Sequence, residues 1–125
     1  MKNNKKQLFF ALVFVLAGGF KMMAQNALVG TWVRDKDFLQ APTVVIFYAD
    51  NTCEISSGSI MVRGTYKLEG STLKMVDTAG DFADTKSGEG MYNFTIVGES
   101  MTFTPMGDMA TQRKDILASS GFKKN

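Results

Sequence analysis

Residues 60–69 read "IMVRGTYKLE", and the apolar residues fall on every second position. Ile60, Val62, Gly64, Tyr66 and Leu68 share one face, while Met61, Arg63, Thr65, Lys67 and Glu69 share the other. Alternation at period two over ten residues is the mark of a strand with one face in a core and one in water. The turn "EGST" follows, and Leu73 and Met75 then continue an inward face in "TLKM". A short glycine-containing connection between two alternating runs predicts a hairpin.

The same plan recurs downstream. "GTYKLEGSTLKM" is echoed by "GMYNFTIVGESMTF": a glycine, any residue, a tyrosine, an alternating run, a glycine turn and a second run. In the second copy Gly90, Tyr92, Phe94 and Ile96 share a face, answered by Met101 and Phe103. Upstream, "TVVIFYADNTCEIS" reads as a third hairpin about Asp50–Asn51, and "LVGTWVR" as an opening strand. A short terminal strand near Phe122 brings the count to about eight. The fold class expected is therefore all-β, a small antiparallel up-and-down barrel, because closure removes the exposed strand edges. One segment departs from period two. In "DMATQRKDILASSG", Asp108 is a helix N-cap candidate and Gly121 a stop, with Met109, Arg113, Ile116 and Leu117 on one helical face.

The beginning of the chain carries a different signal. Lys2, Lys5 and Lys6 precede the apolar run "LFFALVFVLAGGF", and "KMMAQ" follows it. That order predicts a secretory signal peptide over residues 1–24, leaving a single domain of about 100 residues over 25–125. Gly19 stands where a lipidated cysteine would have to be, so no lipid anchor and no stable membrane attachment after cleavage are expected. The expected destination is outside the cytoplasm, in the periplasm or beyond the cell. Lys2, Lys5, Lys6 and Lys21 would leave with the signal, which turns the formal charge from +2 for the whole chain into ten basic against twelve acidic residues. With no basic stripe, nucleic acid is not an expected partner.

The chain has no histidine and one cysteine, Cys53. This removes Ser-His-Asp and Cys-His catalysis and the commonest zinc ligand. No cofactor, metal centre or enzymatic constellation is expected. Cys53 alternates with Ile55 and so is expected to be buried. Asp77, Asp81 and Asp84 in "DTAGDFAD" could together meet a hard cation, but without the spacing of a calcium loop they read as a polar loop at the barrel mouth. Phe82 within it would be either a lid or an anchor for the loop.

Trp32 and Arg113 raise the sharpest question. Arg113 lies in the apolar stripe of the expected helix, and Trp32, the one tryptophan, lies two residues after Gly30. A guanidinium over an indole ring contributes about 0.5–2 kcal/mol depending on desolvation. The expectation is that Arg113 lies across Trp32 and that Gly30 leaves room for another backbone. The other reading is that Trp32 is plain core and Arg113 reaches water.

On these residues the chain resembles the lipocalins and the wider calycin group, in which a GxW element near the start meets a late arginine at the closed end of the barrel. Gly64-Thr65-Tyr66, Gly70 with Leu73, Gly90-Met91-Tyr92, Met101 to Phe103, Asp108, Arg113, Leu117 and Phe122 resemble a family of small secreted bacterial lipocalin-like domains. The resemblance implies a structural signature of Gly30, Trp32 and Arg113 and a barrel that holds a small molecule. A small apolar or amphipathic ligand inside the barrel is the expected function, with Phe47, Ile55, Tyr66, Met75, Tyr92, Phe94 and Met101 as candidate wall residues. The alternative is a filled barrel working through its surface as a protein-binding module, with Met61, Met91 and Val97 pointing outward.

Overall fold

The computed structural model describes residues 25–35 and 41–125. The expected signal peptide lies outside the described residues. Eight strands run in chain order: β1 (Gly30–Arg34), β2 (Thr43–Phe47), β3 (Thr52–Ser57), β4 (Ile60–Glu69), β5 (Thr72–Gly80), β6 (Gly90–Val97), β7 (Ser100–Gly107) and β8 (Phe122–Lys124). One helix, α1 (Thr111–Ala118), lies between β7 and β8. Each strand pairs with its sequence neighbour, and β8 returns to β1, so the sheet closes into an antiparallel barrel. This is the all-β architecture read from the alternating runs, and it is consistent with a calycin-like fold.

Registers follow the alternation. In β4 the inward set Gly64, Tyr66 and Leu68 is buried while Thr65, Lys67 and Glu69 are exposed. Trp32 stands opposite Val45, and Val45 opposite Ile55. Tyr92 opposes Leu73, Phe94 opposes Phe103, and Met101 opposes Phe122. Inside the barrel the aromatic rings meet mostly edge to face: Phe47 with Tyr66 at 5.1 Å, Tyr92 with Phe103 at 6.2 Å and Phe103 with Phe122 at 5.8 Å between centroids. Those spacings lie within the range of attractive aromatic pairs. The core is continuous from Leu28 to Phe122 and fills the middle of the barrel.

Up-and-down order gives the barrel two unlike ends. One carries the tight connections 48–51, 70–71 and 98–99, together with a helical turn over residues 25–28. The other carries the β5–β6 loop (81–89), the β3–β4 turn and α1.

The first end is closed by groups from both termini of the domain. Leu28, the last residue of the helical turn, is fully buried, and its carbonyl accepts the Trp32 indole N–H at 2.8 Å. The cation over Trp32 is Lys124, with its Nζ 4.8 Å from the ring centroid, and that Nζ also donates to the Val29 carbonyl at 2.7 Å. This corrects the expected Trp32–Arg113 pairing. The reason is topological: β8 closes on β1 with Lys124 opposite Trp32, whereas α1 packs at the other end. Gly30 (φ +136°) does make room, but for a side chain. A Cβ there would lie 2.6 Å from Lys124 Nζ.

The helix begins later than expected. Ala110 occupies the N-cap position, without a side-chain cap. Asp108 accepts the Ala110 N–H at 2.9 Å just ahead of the helix, and its remaining capacity goes elsewhere. Met109 therefore precedes the helix and is 79% exposed, so it leaves the predicted apolar face. Arg113 and Leu117 are the buried members of that face.

Candidate functional site

The end of the barrel beneath α1 is built around three buried charges. Arg113 donates from Nη1 to Asp77 Oδ1 at 2.9 Å, from Nε to Asp108 Oδ2 at 2.7 Å and from Nη2 to Asp108 Oδ1 at 2.6 Å. Nη2 also reaches the Gly88 carbonyl at 3.1 Å. The side chains of Arg113, Asp77 and Asp108 are 3%, 7% and 0% exposed, which makes them an internal cluster. Ions stripped of water this far survive only when their hydrogen-bonding capacity is met by partners. The Tyr92 hydroxyl donates to Asp108, and the Asp84 N–H donates to Asp77 Oδ2 at 2.8 Å.

Strand alternation explains how these groups arrive. Asp77 continues the inward series Leu73, Met75 at the end of β5, and Arg113 continues the inward face of α1. Gly90 lies beside the cluster, where a Cβ would collide with the Asp108 carboxylate. The glycine of the second Gly-x-Tyr element thus leaves space for Asp108, and its tyrosine bonds the same carboxylate. In the first copy the Tyr66 hydroxyl donates to the Tyr48 carbonyl at 2.7 Å, at the opposite end of the barrel. The two copies brace the two ends.

Electrostatics follow from burial and partners. For Asp108 burial opposes ionisation, but the bonds from Arg113 and Tyr92 prevail and hold its carboxyl below the usual carboxylate range. Burial likewise opposes the charge on Arg113, and the hydrogen bonds to Asp108 and Asp77 outweigh it and raise its affinity for the proton. The Tyr92 phenol is pushed up by burial and then by Asp108.

Above this cluster lies a recess of about 80 Å³. Ile55, Ile60, Val62 and Ile116 form its apolar walls, Phe82 stands at its rim, and Asp77, Arg113, Gln112 and Asp115 supply its polar groups. Phe82 is 46% exposed while lining the recess. Of the seven candidate wall residues, Ile55 reaches this recess. Phe47, Tyr66, Met75, Tyr92 and Met101 are each at most 1% exposed and belong to the packed core, with half-buried Phe94 against them. The chain's structure brings Gly30 and Trp32 together at one end and places Arg113 at the other.

The acidic loop is organised by its own bonds. Asp84 accepts from the Ser87 hydroxyl and N–H at 2.6 and 2.9 Å and from the Lys86 N–H at 3.2 Å, while Asp77 is committed to Arg113. Asp81 is exposed. Among the described residues no group of three or more acidic, cysteine or histidine residues is arranged to hold a metal ion. Cys53 is buried, and burial pushes its thiol up to about 12.

Two residues with structural roles at this end escaped the sequence reading. Asp108 looked like a helix cap and is instead the centre of the ion cluster. Arg34 was not singled out, although it shares the inward face of β1 with Trp32. Its guanidinium donates to the Ile116 carbonyl at 2.6 Å and the Ser120 carbonyl at 3.1 Å and lies 4.5 Å from the Phe122 ring centroid. An arginine at an inward strand position is a signal that could have found it.

The chain was compared with protein-family models, with curated proteins and with solved structures, and none of the three gives a match.

Proposed function

We propose that this chain is an exported lipocalin-like domain that binds a small amphipathic molecule, and that the ligand sits in the recess at the α1 end, above the packed interior. The observation that carries this reading is the combination of four aliphatic walls with a buried ion cluster at one mouth of a barrel whose centre is filled. Binding sites are concave and mostly apolar, with a few fixed polar groups to orient the ligand. Small barrels commonly fill their interiors with their own side chains, which leaves the mouths for recognition. Export rests on the charge–apolar–small order of residues 1–24. No catalytic role is assigned.

A thermal-shift panel of short- and long-chain amphiphiles tests the reading. A ligand at one hundred times its dissociation constant should stabilise the fold by about 2.7 kcal/mol. The Ile60→Trp variant, which fills the recess from a half-buried position, should abolish that shift while keeping the native circular dichroism spectrum. A shift that survives the variant places the ligand elsewhere, and no shift across the panel removes the reading.

A second reading is supported by exposed apolar side chains. Val97, Met106 and Met109 are 72%, 53% and 79% exposed, and Met61 is 38% exposed. Such residues favour a protein contact surface when they adjoin one another. Met106 and Met109 lie three residues apart at the α1 end, so under this reading Met106→Lys and Met109→Lys would abolish a partner interaction and leave the thermal-shift profile of the amphiphile panel unchanged.

A further inference from the structure

We infer that the recess selects a small organic cation, a primary ammonium carried on a compact branched apolar body, an assignment that rests on the ligand-binding reading above. Charge decides the head group. The buried cluster contains one cation, Arg113, bonded to two carboxylates, Asp77 and Asp108. It therefore carries a net negative charge beneath apolar walls, where weak screening extends the reach of a fixed charge. Asp115, on the exposed side of α1, adds a second carboxylate to the lining.

Arg113 does not reverse this balance. Its Nε, Nη1 and Nη2 all donate to Asp108, Asp77 or the Gly88 carbonyl. An incoming carboxylate would meet a guanidinium already held by two carboxylates, with Asp115 nearby. An ammonium would meet the exposed Asp115 carboxylate at the edge, over a floor where both Asp77 oxygens are engaged but the net charge is negative. Phe82 lines the recess, and an aromatic ring attracts a cation over its face and not an anion. The volume of about 80 Å³ fits a short branched alkyl group against Ile55, Ile60, Val62 and Ile116.

Three probes that differ only in the head group test the assignment: isopentylammonium, isopentanol and isovalerate, each titrated into the 15N-labelled protein at pH 7 and low salt. The expected result is that isopentylammonium shifts the amides of Val62, Phe82 and Gln112 and binds at least about tenfold more tightly than isovalerate, with isopentanol between them. Asp115→Asn, a change at an exposed helix position, should weaken the ammonium about two- to fivefold, the scale of a solvent-facing ion pair, and leave isopentanol unchanged. Isopentanol or isovalerate binding at these amides as tightly as the ammonium overturns the cation assignment and leaves recess binding standing. An ammonium affinity unchanged in Asp115→Asn and insensitive to salt also overturns it. If none of the three probes shifts these amides while a larger amphiphile shows the Ile60-dependent thermal shift, the cation assignment falls alone. If that shift is absent as well, both readings fall.

Discussion

Single residues in this protein show how burial decides chemistry. Cys53 occupies an inward position of β3, and its thiol titrates near 12 because burial disfavours the thiolate. A thiol reagent at pH 8 should therefore leave the native protein unmodified over hours and react with one equivalent on unfolding in guanidinium, as read by mass spectrometry. Asp108 shows the opposite shift, since Arg113 and Tyr92 hold its charged form in spite of burial. With its folded pKa below the unfolded value of about 4, its contribution is present in full above that value and is lost as pH falls through the folded pKa. The urea midpoint of the wild type should drop steeply below about pH 4. In Asp108→Asn the midpoint should be lower throughout and flatter in acid, with a loss of stability of about 3–5 kcal/mol at pH 7 where one partner of the cluster is removed.

At the scale of elements, α1 has little hold of its own. It is eight residues long, lacks a side-chain N-cap and carries no basic residue in its last turn, and isolated helices this short are not stable in water. Tertiary contacts hold it at both ends. Arg113 ties its first turns to β5 and to Asp108, and Arg34 from β1 bonds carbonyls at its C-terminal end. The Ile116 carbonyl is among the groups a helix leaves unpaired, and a cation there also complements the helix dipole. Arg34→Ala should cost about 2–3 kcal/mol of stability, the range for hydrogen bonds to a charged group plus lost packing. Hydrogen exchange should rise in α1 amides well before it rises in β4 and β5. The hairpins behave differently, because alternation within each run already specifies which face turns inward.

For the whole molecule, closure is the decisive event. β8 is three residues long, yet it pairs with both β7 and β1 and brings Lys124 over Trp32. Removing residues 122–125 should expose two strand edges and uncover the indole. The Trp32 emission maximum should move to longer wavelength, and the truncated chain should self-associate by light scattering, the usual fate of open edges. An unchanged emission spectrum would mean that the barrel closes without its last strand.

The runs in β4 to β7 carry their own instructions, since a period of two admits one burial pattern, and the hairpin turns set which runs are neighbours. The barrel, the short helix and the buried Cys53 all follow from such local rules. Which charge meets which does not. Arg113 could be read as buried, but Asp77 read as part of a polar loop at the barrel mouth and is instead a buried position of β5, and nothing local says which end of the barrel holds Trp32. Closure of β8 on β1 gave Trp32 to Lys124, and the packing of α1 at the opposite mouth gave Arg113 to Asp77 and Asp108. The inward face of a strand is a property of its own residues. A partner across the barrel depends on the direction of every strand between, and only the closed sheet sets that.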